Sequence, residues 1–463
     1  MKKGKGDLRS FVSFLVLCSL GSCIPYRPLP LDSAEEFQNV QARSWSKKVV
    51  IDRCNHSQDY YFPIAEKICL QNGLALDEAN SLALFYSPEI LKARSELNIR
   101  AAILLEAGAP NNPEVFLGPR ISTRDAGLIF PGGILFEILF SNWRISQRAA
   151  AIWERERDLW LLLDKEIEIL ASIQKKFLQI EADRKREKIA RKQVFRSKEI
   201  MLWVNSHYSS GEMDLLSFQI SLRGLEDAKV ELMNSILLRK KSERDLLKIV
   251  GLLPDSKIKI LFGHLPLLDL NVEGLEISQI LMHPALKAIE VEYLAAEQNL
   301  RVEIAKQLPA LKLGPDFEYD RGDFSLGIGL EFDLPIFTQN KTPIAVAEEK
   351  RRRIRINYDE KLLDFSEKLA NLKDEFQLLN EREKELRPTL ADSKFLDGIF
   401  FDSFQSNKEG VLQALAASNS IGNTLLEEVD LERRIGQAKI DLLLISASLL
   451  PSECVTYVKE QGQ

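Results

Sequence analysis

A mainly helical chain, built from two copies of a helix–β-hairpin–helix unit whose strands are of membrane type, is the fold class the sequence predicts. Three observations carry it. An internal repeat holds one offset of 196 residues at every landmark. Long stretches dense in Leu, Ile and charge are separated by a few clusters of Gly and Pro. Between the helices lie segments of strict apolar/polar alternation.

The chain opens on Lys2, Lys3, Lys5 and Arg9, followed by an apolar run, Phe11 to Leu20, too short to span a bilayer. The run ends in Leu20-Gly21-Ser22-Cys23. This resembles a bacterial lipoprotein signal, which implies removal of residues 1–22 and acylation of Cys23. Several acyl chains would anchor firmly where one alone is marginal. An ordinary signal peptide followed by a cysteine is the alternative, and both predict export past the inner membrane. Residues 23–76 then form a periplasmic extension. Within it Cys54 and Cys69 either pair in an oxidising compartment or stand as free thiols beside Cys454. The four histidines lack metal-ligand spacing, so no metal is expected. The net charge of −6 gives no basic face, which argues against nucleic acid as a partner.

The repeat aligns Ser87-Pro88 with His283-Pro284, Pro113 with Pro309, and Leu117-Gly118-Pro119 with Leu313-Gly314-Pro315. Gly133 meets Gly329, Phe136 meets Phe332, and Tyr208-Ser209-Ser210-Gly211 meets Phe404-Gln405-Ser406-Asn407. Copy one (77–252) begins with a helix from an Asp77 N-cap to about Ala107. A hairpin over 114–140 follows, then an uninterrupted helix from Trp143 to Ser206. A turn at Tyr208–Gly211 leads to a return helix from Asp214 to Val250. After a connector at 253–274, copy two (275–448) repeats the pattern with helices at Ser278–Gln307, Pro343–Phe404 and Gly410–Ser448. Its hairpin covers 311–337, and 449–463 is a tail. The long helix of copy one reaches roughly 95 Å at 1.5 Å per residue. Charged and about three times a bilayer's thickness, it must project into water. The two shorter helices nearly sum to its length, so they are expected to stack end to end beside it, with the connector near mid-height.

In copy two Phe324, Leu326, Ile328, Leu330, Phe332, Leu334 and Ile336 occupy one strand face. Glu331 and Asp333 share the other face with Ser and Gly. The partner strand sets Leu311, Leu313, Phe317 and Tyr319 against Lys312, Asp316, Glu318 and Asp320. Copy one repeats the apolar face with Leu128, Phe130, Ile134, Phe136, Ile138 and Phe140 against Val115, Leu117 and Ile121. Its other face carries Arg120, Arg124 and Glu137. Alternation of this length suits strands with lipid on one side and water on the other. A soluble hairpin packed on helices is the alternative for either copy alone. Four spanning strands leave open edges, which lipid forbids, so spanning requires oligomerisation, and three chains would supply twelve strands.

Taken together, these features resemble the TolC-like outer membrane efflux proteins over nearly all the chain from about Gly73. The residues that carry the resemblance are Leu76-Asp77-Glu78-Ala79, the two X-Pro pairs, Asn112-Pro113 and Leu308-Pro309. Asp333-Leu334-Pro335-Ile336-Phe337 and the two aromatic-x-x-Gly/Asn turns complete the set. The resemblance implies a homotrimer: long antiparallel helical hairpins forming an α-barrel tunnel, joined to a twelve-stranded β-barrel to which each chain gives four strands. It implies a lipid-anchored place in the outer membrane, with a periplasmic adaptor and an inner-membrane pump as partners. It also implies no enzyme activity and no cofactor, for an exit that serves efflux or type I secretion. Tip residues for adaptor docking would be Tyr208, Gly211, Leu215, Phe404, Asn407 and Val411. The barrel lumen would be lined by Arg120, Arg124, Asp316, Glu318, Asp320, Glu331 and Asp333. The family's acidic tip ring falls here on Ser217 and Ile220 in copy one and Gln413 and Ala416 in copy two, so Ser217 and Gln413 would line the entrance without that ring. A lipid-anchored periplasmic coiled-coil adaptor without a pore is the rival reading. It leaves the duplicated amphipathic strands unexplained.

Overall fold

The structure, a computed structural model, describes residues 26–43, 62, 68, 70, 72–121, 128–138, 143–262, 274–308, 311–320, 323–332, 337–406 and 411–448, with backbone alone at 138 and 397–406. It divides into two units, Met1–Trp45 and Ser46–Gln463. The first holds helix α1 (Ser33–Arg43), at whose start the Asp32 carboxylate accepts from the Ala34 N–H.

In the second unit the first helix of each copy is broken in two, where the sequence reading had one. α2 (Leu76–Tyr86) and α3 (Pro88–Glu106) meet at Ser87, whose ψ of 123° is extended. α6 (Ile277–Ile280) and α7 (Pro284–Ala305) are separated by a segment ending at His283, with ψ 132°. The cause is the same in both: a proline's Cδ drives the preceding residue out of the helical region, and the proline then opens the next helix at its first position. Asp77 lies inside the first turn of α2 rather than capping it, and the cap contact comes from Glu78, whose carboxylate accepts from the Ala75 N–H at 3.0 Å.

The long helices are α4 (Trp143–Ser209, 67 residues) and α8 (Lys341–Ser406, 66 residues), each about 100 Å long. Their returns are α5 (Leu215–Ile249) and α9 (Val411–Ile445). α4 is the spine of the unit: α2, α3 and α7 pack along it, as do α5 and α9, while α8 packs on α7 and α9. α5 and α2 meet at mid-height. There Gly251, at φ +82°, lies so close to α2 that a Cβ would fall 2.2 Å from the Tyr86 carbonyl oxygen, so only glycine fits. Beside it Leu74 and Ile260 form a parallel bridge, the Leu74 N–H donating to Lys259 O at 2.7 Å and the Leu261 N–H to Leu74 O at 2.9 Å. The described part of the connector thus lies at mid-height.

The main core surrounds this joint. Leu82, Leu84 and Ile90 bury against Leu163, Ile167, Ile173 and Phe177 of α4, with Leu246, Val250 and Ile260 closing it. Each such side chain contributes about 1.5–3 kcal/mol. One buried charge shows how such a group is held. Asp183 of α4 accepts from Ser242 Oγ (2.6 Å), Gln179 Nε2 (2.8 Å) and Arg186 (3.2 Å), which offsets the desolvation of a carboxylate.

The two long helices differ in one respect. α8 contains Pro388, which leaves the Lys384 carbonyl without its helical donor, whereas the repeat places Lys192 at the matching position in α4. Leu386 and Leu390, either side of it, bury with Leu431 and Ala438 of α9 and hold the helix continuous. Pro388→Ala restores the bond at an exposed position. Its expected effect is a stabilisation of up to about 3 kcal/mol, read as a higher melting temperature of the purified protein.

No described helix is long and apolar enough to cross a membrane. β1 (Glu114–Leu117) and β2 (Arg120–Ile121) are two pieces of one strand line, and both pair antiparallel with β3 (Leu128–Ile138). β3 pairs with β4 (Leu311–Asp320), and β4 with β5 (Asp323–Phe332), so the order is β1/β2–β3–β4–β5. Four strand lines, two from each copy, form one open antiparallel sheet.

Candidate functional site

The register of the sheet sorts its residues into two faces. Across β4 and β5 the pairs Leu311–Phe332, Leu313–Leu330, Pro315–Ile328, Phe317–Leu326 and Tyr319–Phe324 stand on one side. β3 extends this face, with Phe130 beside Tyr319 and Phe136 beside Leu313. Aromatic side chains gather at its two ends: Phe130, Tyr319 and Phe324 at one, Phe136 and Phe332 at the other. Aromatic girdles at both rims of an apolar band are a feature of membrane barrels. Almost every apolar side chain of β5 is solvent-exposed. A ten-residue strand rises about 33 Å, or about 23 Å at a tilt near 45°, close to the apolar band of a membrane barrel.

The opposite face is polar. Its successive rows pair Lys312 with Glu331, Asp316 with Gly327, Glu318 with Ser325 and Asp320 with Asp323, while Arg120 shares the row of Ile129 and Asp320. Lys312 Nζ lies 2.8 Å from a Glu114 oxygen and 3.9 Å from Glu331. Glu137 accepts from Asn111 Nδ2. The sequence reading missed an apolar patch in the middle of this face. Leu135 is buried there and Phe116 lies over Gly133, because Gly133, Gly314 and Gly329 leave room for them. The glycines at alternate positions were the signal. Arg124 and Asp333 lie outside the described residues.

At the far end of the long helices the chain reverses. α4 continues through Tyr208 to Ser209, so Tyr208 belongs to its last turn rather than to the reversal itself. Gly211 sits at φ +79°, where an L-residue is strained. Its N–H donates to Tyr208 O at 3.1 Å, and the Glu212 N–H to His207 O at 2.8 Å. Asp214 caps α5 by accepting from the Ser217 N–H at 3.0 Å, and that bond holds its carboxyl below the usual range. Ser217, proposed for the entrance lining, is therefore half-buried in the cap. Tyr208 stacks on Phe218 with ring centroids 5.2 Å apart. Leu215 and Gln413 are exposed.

Val411 departs from its expected docking role. It is only 5% exposed and packs with Ile200, Val204 and Leu415 in a core that ties the two tips together. Leu412, 63% exposed, is the outward apolar residue there. One helix position is 100° of rotation, and periodicity without the partner helix did not resolve it. The backbone of Phe404 lies in the last turn of α8, while Asn407, Cys23, Cys54, Cys69 and Cys454 lie outside the described residues.

No protein-family model matches the chain, and no curated protein matches it. Solved structures do. The Campylobacter jejuni CmeC outer membrane channel shares 12% identity over 95% of this chain and 97% of its own, with a TM-score of 0.72. The outer membrane protein VceC of Vibrio cholerae shares 16% identity over 80% and 95%, at 0.67. CusC, known from crystal structures of its folding and transmembrane channel formation, shares 16% over 84% and 95%, at 0.69. At such identities the likeness is one of fold, and at that level the resemblance drawn from the sequence holds. The chain has the fold of the outer-membrane channels.

Proposed function

We propose that this chain is one subunit of a trimeric outer-membrane channel, anchored by an acylated Cys23, that conducts solutes passively from a periplasmic adaptor and an inner-membrane pump to the exterior. One observation carries the reading: an open sheet with a continuous apolar face and aromatic ends leads directly into helices about 100 Å long. A single chain leaves both sheet edges, β1 and β5, without a partner strand among the described residues. Lipid does not tolerate such edges, so they pair with other copies, and three chains close twelve strands.

The helices support the same assembly. α5 exposes Leu216, Val230, Met233 and Leu237, and α8 exposes Ile356, Leu363 and Leu378, at near-heptad spacing. These stripes would meet between neighbouring chains and complete a ring of helices below the barrel. Tyr208, Leu215 and Leu412 would form the surface that the adaptor meets, and Lys312, Asp316, Glu318, Asp320 and Glu331 would face the water-filled lumen. No covalent chemistry is assigned to the subunit. Native mass spectrometry of the full chain in mild detergent tests the assembly. Three chains are expected; a Cys23→Ser protein that is monomeric and soluble without detergent would sink the proposal.

A further inference from the structure

Where α6 gives way to α7, a buried imidazole and a carboxylate 18% exposed face each other with no proton between them. His283 is 5% exposed, and its Nδ1 accepts the Ala285 N–H at 3.2 Å, which places the ring proton on Nε2. The ring stands edge-on to Phe365 of α8, centroids 4.6 Å apart. From α4, Asp164 Oδ1 approaches His283 Nδ1 to 3.6 Å. That oxygen is buried and has no hydrogen-bond donor within reach among the described residues. Two acceptor atoms therefore face each other, Nδ1 already taken by the Ala285 N–H and Asp164 Oδ1 left unsatisfied.

We propose that Asp164 and His283 form a one-proton site, in which a proton taken up between Asp164 Oδ1 and His283 Nδ1 joins α4 to the N-terminus of α7. The Nδ1 lone pair passes from the Ala285 N–H to that proton, so the N-terminal cap of α7 is given up as the acid and the ring share it, as Asp–O–H···N or as its ionic form, and no other group changes charge. The closure needs about 0.4–0.9 Å to bring the 3.6 Å separation to hydrogen-bonding distance. The groups facing the pair are Lys165 and Glu168 on α4 and Lys361 and Lys368 on α8, whose ammonium groups lie 4.8 and 5.9 Å from the Phe365 ring. Burial, aided by Glu168, pushes the Asp164 carboxyl up to about 6 against Lys165 and Lys361. Burial, aided by Lys361 and Lys368, holds the His283 imidazole down to about 4, so the acid binds the proton first.

The stability contributions of the two groups oppose each other. With its pKa raised in the fold, Asp164 lowers stability above about pH 6 and restores it as pH falls from there toward 3.8. His283, with its pKa depressed, costs stability as pH falls from 6.5 toward 4. Melting temperature alone is therefore a poor readout, and the proton itself must be followed. The site belongs to copy two only, because the repeat places Ser87, which has no basic side chain, at the position of His283.

Infrared difference spectra of the purified full chain in detergent, between about pH 7.5 and 5, read the site without reference to any pore. The wild type is expected to gain a protonated-carboxyl band with a midpoint near pH 6, absent from Asp164→Asn. In His283→Asn, which keeps an N-cap residue but offers the carboxylate an amide donor, the midpoint falls toward the ordinary aspartate range. A wild-type spectrum indistinguishable from Asp164→Asn would overturn the proposal, as would a midpoint unmoved in His283→Asn. Should that variant fail to fold, ¹⁵N shifts of the wild-type histidine decide: Nδ1 moves with the carboxyl band, and an Nδ1 unaffected through that range contradicts the site.

Discussion

Replacing Ile328 with lysine is expected to abolish outer-membrane insertion. Ile328 lies near the middle of β5, pairs with Pro315 across the apolar face, and is 75% exposed. A lysine near the bilayer midplane costs about 2–4 kcal/mol, so three symmetric copies cost roughly 6–12 kcal/mol per trimer. That approaches the whole stability of an ordinary domain, about 5–15 kcal/mol. Glu331→Gln, on the opposite face of the same strand, changes charge without entering lipid and leaves insertion intact. The amount of heat-modifiable trimer in the outer-membrane fraction reads both variants. Normal trimers from Ile328→Lys would mean that this face does not meet lipid.

The second large effect is expected at mid-height. Arg94 of α3 donates to Glu166 of α4 at 2.7 Å and to the Leu84 carbonyl at 2.7 Å, and the Glu166 side chain is 1% exposed. Burial raises the Glu166 carboxyl above its usual range, and Arg94 opposes the shift. Arg94→Ala leaves a buried carboxylate without its partner, a loss of about 3–5 kcal/mol. Its pKa then rises further above the unfolded value. A raised acid destabilises above its folded pKa and recovers as pH falls through it, so the defect shrinks on acidification. Denaturant melts of the variant at neutral and acidic pH measure this. Changing both residues together, Arg94→Met with Glu166→Leu, removes the orphan and comes close to wild type. A full loss in that double variant would show that packing, and not the charge, dominates the site.

Much of this fold is legible in the sequence because its punctuation is local. Proline and glycine clusters bound the helices, and alternation by twos fixes which residues share the apolar side of a strand, since a slip of one residue would invert the pattern. The misses have physical causes. The breaks at Ser87 and His283 follow from a rule about the residue before proline, and the sequence reading uses both pairs as landmarks of the repeat and of the resemblance, not as helix breaks. Pro388 stays within α8 because Leu386 and Leu390 pack on α9, a tertiary effect that overrides local propensity. Nothing in the sequence sets Glu166 and Asp183 apart from the many other charges of a long helix. Their partners Arg94 and Ser242 stand 72 and 59 residues away, beyond any helical period. At the tip, the choice between Val411 and Leu412 as the outward residue depends on where α4 lies.

Conductance across a planar lipid bilayer tests the channel itself. The purified wild-type chain is expected to insert and give discrete, ion-carrying steps of one unit size, the signature of a closed twelve-stranded wall around water. Ile328→Lys at the same protein concentration gives none. A wild-type preparation that associates with the bilayer yet never carries current would contradict the account.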